Sequence, residues 1–149
     1  MHTIGMICQR EVVCTEAETT VQAAAKLMRT HHVGSLVIVT LEDGRRRPVG
    51  IVTDRDLVIE VIALDLAPHV LTVGDIALPP LVTVGEGEPL QTAADIMCND
   101  CIRRLPVVGA DGDLVGIVSF DDLLAALTRQ LAEVSTVLGR GREQALVRA

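Results

Sequence analysis

Shifted by 69 positions, this sequence falls on itself. "TIGMICQREVVCT" from Thr3 meets "TVGDIALPPLVTV" from Thr72, with Thr3, Gly5, Ile7 and Val13 on identical residues. "VQAAAKLM" (Val21 to Met28) meets "LQTAADIM" (Leu90 to Met97), and "VGSLVIV" (Val33 to Val39) meets "IRRLPVV" (Ile102 to Val108). The offset then becomes 66, pairing Gly50 with Gly116, Asp56 with Asp122 and Leu57 with Leu123. The first copy carries its three extra residues in "TLEDGRRRP", a turn between matched strands, where an insertion costs least. Two copies are too few for a solenoid. They predict two half-domains packed face to face about an approximate two-fold axis.

Each copy has the same element order. A short strand ends near Thr15 or Val84. A helix follows, with Val21, Ala24, Ala25 and Met28, or Leu90, Ala93, Ala94 and Met97, at i, i+3, i+4 and i+7. Pro89 suits the start of its helix. Next come "SLVIVT" or "RLPVVG", a turn at Asp43-Gly44 or Asp111-Gly112, and a returning "VGIVT" or "VGIVS". A second helix begins at once. The pattern is β-α-β-β-α twice, with continuous apolar strands that need cover on both faces.

Composition narrows the function. There is no Trp or Tyr and only Phe120, so a flat ligand must be held by aliphatic side chains and backbone. A net charge of −7 speaks against a nucleic-acid partner. No apolar run reaches membrane-span length, and "MHTIGMICQREVV" is not a signal peptide. Four cysteines without dense spacing fit reduced thiols and a cytoplasmic protein.

"GIVTDRD" (Gly50 to Asp56) returns as "GIVSFDD" (Gly116 to Asp122). Thr53 and Ser119 stand where a strand becomes a helix. A hydroxyl there caps the helix, and Asp56 or Asp122 three residues on completes a capping box. That explanation needs no ligand. The same geometry also suits one: helix amides attract phosphate, and a carboxylate one turn in can accept both hydroxyls of a ribose. Gly50 and Gly116 permit close approach of a neighbour.

This order of elements, with "G-h-h-[T/S]-x-x-D" after each hairpin, resembles a tandem pair of cystathionine-β-synthase (CBS) domains, a Bateman module. The resemblance spans Thr3 to Leu131. It implies an α/β fold of two β-α-β-β-α repeats with pseudo-two-fold symmetry, and a regulatory rather than catalytic role. The implied ligands are adenosyl compounds bound between the repeats: AMP, ADP or ATP first, S-adenosylmethionine or NAD as further candidates. By position, Asp56 and Asp122 become ribose carboxylates, with Thr53 and Ser119 as hydroxyl partners. Arg103 and Arg104, just before "LP", and Arg55 match phosphate-contacting positions of nucleotide-sensing members. Adenine would lie against Val13, Cys14 and Thr15 with Val33 in one cleft, and against Val82, Thr83 and Val84 with Ile102 in the other. The copies differ: Gly34 and Ser35 replace the arginine pair in the first, and Asp121 replaces Arg55 in the second. Asp121 repels phosphate, so one strong nucleotide site and one weak or empty site are expected.

Other motifs carry less. "CNDC" (Cys98 to Cys101) has redox or half-zinc spacing, but the first copy has Arg29 and His32 there, and two small residues with at least one buried suffice. His31 and His32 read as helix C-terminal histidines, although a histidine near a cleft could meet a phosphate. Arg45 to Arg47 read as solvated loop charge. Asp54, Asp56, Asp121 and Asp122 should sit on separate helix starts, so no metal site is expected. No catalytic residue is assigned.

After Leu123 the last helix keeps an apolar stripe at Leu124, Leu127, Leu131, Val134 and Leu138. The stripe packs either on its own domain or on a second subunit, and a homodimer is expected. Gly139 and Gly141 should end the helix, leaving a mobile tail. The expected units are 3–68, 72–131 and a helix end with tail at 132–149. The predicted function is to bind an adenine nucleotide and signal to a separate, unidentified effector. The alternative is a ligand-free scaffold acting by protein contacts.

Overall fold

The computed structural model describes residues 2–77 and 80–147, with side chains described as far as Leu138. Residues 78 and 79, inside the second copy of the repeat, and 148 and 149, in the expected tail, lie outside the described residues.

The first half places strand β1 (Cys14–Thr15), helix α1 (Val21–His31), strands β2 (Ser35–Glu42) and β3 (Arg45–Thr53), and helix α2 (Asp54–Leu57) in order. A π-helical stretch, Val58–Ile62, continues α2. After α3 (Val73–Ile76), the second half repeats the order with β4 (Val84–Gly85), α4 (Leu90–Asn99), β5 (Arg104–Val108), β6 (Leu114–Ser119) and α5 (Phe120–Val147). The sheets are separate and three-stranded, β1-β2-β3 and β4-β5-β6. In each, the first strand runs parallel to the second and the third returns antiparallel. Even the irregularities repeat: the ladder shifts between Ile38 and Val39, and again between Val107 and Val108.

Three of the four apolar positions in each helix do what their spacing predicts, while Ala25 is exposed and Ala94 half-buried. Val21, Ala24 and Met28 are buried on the first sheet, and Leu90, Ala93 and Met97 on the second. Thr20 caps α1 by accepting from the Ala23 amide at 3.2 Å. Asp43 and Gly44 both have positive φ, as a two-residue hairpin of this type requires. The sheets meet at a third cluster of Val37, Val39 and Leu114, joined by Val12, Cys14 and Ile117.

The halves also exchange their leading turns. Ile4 is fully buried, but among residues of the second half's core. Val73 and Ile76 are buried in the first half's core. The hydrogen bonds follow the repeat. Ile4 and Gly5 amides donate to the Glu88 and Glu86 carbonyls, and Val73 and Gly74 amides to those of Thr19 and Ala17. Each repeat therefore completes the other's core, and neither is a self-sufficient packing unit.

Two expectations are corrected, and the alternative left open for the last helix is narrowed. Helix α5 does not stop at Gly139 or Gly141 but runs to Val147. Two isolated glycines cost roughly 1 kcal/mol each against alanine, which an established helix absorbs. Its stripe does not pack on its own half: Leu123 and Ala126 do, while Leu124 is 53% and Leu131 72% exposed. The "RRR" segment is not merely solvated, because it reaches the opposite hairpin. Arg45 pairs with the Asp111 carboxylate, and Arg47 donates to the Asp111 carbonyl at 2.7 Å and pairs with Glu42 at 2.6 Å.

Candidate functional site

Both predicted capping boxes form. The Thr53 amide and hydroxyl donate to Oδ2 of Asp56 at 2.8 and 2.9 Å, and the Asp56 amide returns a bond to Oγ1 of Thr53 at 3.2 Å. At Ser119 and Asp122 the same bonds measure 2.8, 2.6 and 3.2 Å. A third box, Thr72 with Asp75, caps α3 away from either cleft. The amide and hydroxyl of Thr72 hold the Asp75 carboxyl below the usual carboxylate range. The T-x-x-D pattern is thus a capping device first. It also leaves Oδ1 of Asp56 without a protein donor among the described residues, while Oδ1 of Asp122 accepts from Gln9 Nε2 at 3.4 Å.

Each of the two predicted boxes lines a cleft between the halves. The first cleft, about 660 Å³, sets Thr53, Asp54, Arg55 and Asp56 against Pro80, Leu81, Val82 and Cys101 to Arg104. All three predicted arginines line this one cleft. Arg55 comes from the same half as Asp56, and Arg103 and Arg104 come from the other. The second cleft, about 300 Å³, sets Ser119, Asp121 and Asp122 against Glu11, Val12, Val13 and His32 to Ser35. Arg104 lines this cleft as well.

Val13 and Val33, and Val82 and Ile102, therefore line opposite clefts as expected, each facing the other half's aspartate. Other strand residues do not. Thr15 is 7% exposed, and Val84 belongs to the second core. Both lie within the two-residue strands β1 and β4 and are buried there, so the cleft walls come from Val13 and Val82, which precede those strands. Cys14 lies half-buried at the junction of the sheets and on an adjoining groove, and Thr83 is half-buried. Burial pushes the Cys14 thiol up, partly offset by the Arg46 guanidinium 3.6 Å away. Burial likewise raises Cys8, which is half-buried beneath Gly116.

Gly116 serves the exchanged segment. A Cβ there would stand 2.7 Å from Sγ of Cys8 and 3.0 Å from the Gln9 carbonyl. Gln9 and Ile117 amides and carbonyls pair directly. This pairing brings Gln9 and Glu11 to the second cleft, which no local pattern announced. His32 and Cys101, equivalent positions with φ of 53°, line opposite clefts. Cys98 and Cys101 are both exposed, correcting the expectation that at least one is buried. Among the described residues, no group of three or more His, Cys, Asp or Glu side chains could hold a metal ion.

The family model described as "CBS domain" matches residues 4–63 and 73–129. The chain belongs to the CBS-domain family. Its tandem CBS pair is similar to an uncharacterized protein of Methanopyrus kandleri, 36% identical over 142 residues, covering 95% of this chain and 70% of that one. It is also similar to hypoxic response protein 1 of Mycobacterium tuberculosis, 35% identical over 123 residues and 83% of each chain. A crystal structure of that protein with two coordinated zinc ions matches with a TM-score of 0.71 at 34% identity, covering 83% of this chain and 98% of that chain. A CBS domain protein of Pyrobaculum aerophilum complexed with AMP matches with a TM-score of 0.74 at 27% identity, covering 86% and 99% of the chains. Among the described residues, this CBS pair has no helix long and apolar enough to cross a membrane.

Proposed function

We propose that this CBS pair is a cytoplasmic regulatory module that binds AMP, ADP or ATP in the cleft at Asp56. The observation that carries this reading is the convergence of Arg55, Arg103 and Arg104 on the cleft where Asp56 keeps a free oxygen. Oδ1 of Asp56 accepts the ribose hydroxyls while Oδ2 stays with the helix cap. The arginines take the phosphate, Thr53 borders the sugar, and Val82 and Ile102 flank the base. The AMP complex of the Pyrobaculum aerophilum relative supports the ligand class. S-adenosylmethionine and NAD remain candidates of the same class.

The cleft is built from both halves, so its ligand favours the arrangement in which both contact it, and populations shift accordingly. The module itself catalyses nothing in this reading and passes its state to a separate effector. A homodimer supplies the surface for that signal. Leu124, Leu127, Leu131, Val134 and Leu138 on α5, with Val58, Ile59 and Ile62 after α2, form exposed apolar faces that a second copy would cover.

Calorimetric titration of the full chain with AMP tests the site. Asp56→Ala should weaken binding at least about tenfold, because charge-assisted hydrogen bonds are worth about 1.5–3 kcal/mol. Unchanged affinity in a folded variant would discard the ribose role of Asp56. The second reading is a scaffold that works by protein contacts alone. The Gln9 contact to Asp122 favours it at the second cleft, and an absence of binding by any adenosyl compound would select it.

A further inference from the structure

We infer that Cys98 and Cys101 form a redox couple that controls the first cleft: a small-molecule disulfide oxidises the pair to an intramolecular disulfide, and ring closure displaces the cleft wall at Ile102 and Arg103. The effect on nucleotide affinity rests on the adenine-nucleotide reading of that cleft. Formation of the disulfide does not.

The pair belongs to one copy of the repeat. At the equivalent positions the first copy has Arg29 and His32. Packing gives these thiols no duty, because both are exposed, whereas Cys8 and Cys14 are half-buried. Two accessible thiols at C-x-x-C spacing are the arrangement from which a disulfide forms and breaks reversibly. Arg55, Arg103 and Arg104 line the same cleft as Cys101, and electropositive surroundings of this kind favour thiol exchange.

The backbone brings the two residues into one turn. Cys98 lies at the end of α4, and Cys101 follows the C-cap residue Asp100 in the left-handed conformation, with a φ of 53°. The Asp100 amide donates to the Ile96 carbonyl at 3.0 Å, and the Ile102 amide to the Met97 carbonyl at 3.1 Å. These bonds fold the chain tightly around residues 98 to 101. Cα atoms three residues apart in a turn lie within about 7 Å, close to the separation that a disulfide spans. The Cys101 thiol already leans back on its partner residue, 3.9 Å from the Cys98 carbonyl oxygen. It meets the carbonyl rather than the sulfur, so Cys101 must move for the bond to form.

The cleft wall moves with it. Cys101, Ile102, Arg103 and Arg104 line the first cleft in succession, across from Arg55 and Asp56. The far end of this run is anchored: the Arg103 carbonyl accepts from the Phe120 amide at 2.9 Å, and Arg104 pairs with Ser119 in the sheet. Displacement therefore falls on Cys101 and Ile102 and tilts the Arg103 side chain. The exchange balances with glutathione disulfide as oxidant. One cysteine thiolate attacks it, forming a mixed disulfide and releasing one glutathione. The second cysteine thiolate attacks that mixed disulfide, forming the Cys98–Cys101 bond and releasing another. The protein loses two protons and two electrons, and the oxidant becomes two thiols.

The test starts from the ligand-free full chain, reduced and then equilibrated with glutathione disulfide. Peptide mass spectrometry should find Cys98 joined to Cys101 within one chain, two hydrogen atoms lighter. Hydrogen exchange of the ligand-free protein should change at Cys101 to Arg103. AMP affinity by calorimetry should fall about five- to tenfold on oxidation, the loss expected when one charge-assisted contact is misplaced, and should return on reduction. With Cys98→Ser and Cys101→Ser together, the oxidant should alter neither readout. The inference is overturned if both thiols stay reduced, if they take up glutathione without closing, or if they link to another chain. It is equally overturned if the disulfide forms while exchange and affinity stay unchanged, or if the double variant keeps the response. Should the reduced wild type bind no adenine nucleotide, the reading of the first cleft fails by itself, and hydrogen exchange still decides the redox couple.

Discussion

At Asp56 one carboxylate oxygen holds the helix cap and the other lacks a protein donor among the described residues, with three arginines along the same cleft. At Asp122 the cap is the same to within 0.3 Å, but the second oxygen already accepts from Gln9 and the neighbouring charge is negative. The comparison separates two duties that one motif combines. The cap bonds are local and fix the turn from strand to helix, so both copies keep them. The remaining walls come from the opposite half, where a substitution changes the cleft without disturbing the cap. Duplication here preserved the frame and let the charges diverge.

The strongest way to break the symmetry lies in the exchanged turns. Ile4→Ala removes a fully buried side chain of the first repeat from the core of the second, and should cost about 2–5 kcal/mol in chemical denaturation. Hydrogen exchange should show lost protection around Leu105 and Val118, in the second half, before the first. Loss confined to the first half would refute the exchange.

A smaller asymmetry concerns the paired glycines. A Cβ on Gly116 meets Sγ of Cys8 and the backbone of Gln9, whereas one on Gly50 comes nearest, at 3.1 Å, to the flexible end of Ile38. Gly116→Ala should cost about 1–3 kcal/mol and Gly50→Ala under about 1 kcal/mol in the same assay. Equal costs would mean that Cys8 and Gln9 yield freely.

The cleft charges make a still smaller comparison. Arg55→Ala should weaken AMP about five- to tenfold and leave adenosine almost unchanged, as expected when one charge-assisted contact to phosphate is lost. An equal effect on both ligands would show that Arg55 supports the fold of the cleft instead.

The smallest effect belongs to the third capping box. The bonds from Thr72 depress the folded-state pKa of Asp75. Asp75 therefore adds stability above its unfolded pKa, and that increment is lost as pH falls through the folded value. Asp75→Asn should flatten the acid limb of the stability profile slightly and leave neutral-pH ligand affinity unchanged. An unaltered acid limb would show that the box contributes nothing in solution.

Much of the fold was legible because its causes are local. Helix α1 follows from apolar residues every three or four positions, and α2 and α5 from a hydroxyl with an aspartate three residues on. The turn at Asp43-Gly44 follows from its backbone demands. Other local signals misled. Gly139 and Gly141 read as a stop, yet the helix already established by Leu123 and Ala126 carries through them. Val84 and Thr15 read as cleft walls, but each sits in a two-residue strand paired to the next strand and is buried there.

The sequence by itself determined the duplication, the order of elements, both Thr/Ser–Asp caps and the inequality of the copies, since each depends on residues within a turn or strand of one another or on comparison at a fixed offset. Only the tertiary structure decided that Arg55, Arg103 and Arg104 share one cleft, that Gln9 reaches Asp122, and that Ile4 and Val73 trade cores. Arg55 and Arg103 meet across 48 residues, and Gln9 and Asp122 across 113. No periodicity or cap encodes such a distance, which is set by how two twisted sheets and their exchanged turns bury their apolar faces together.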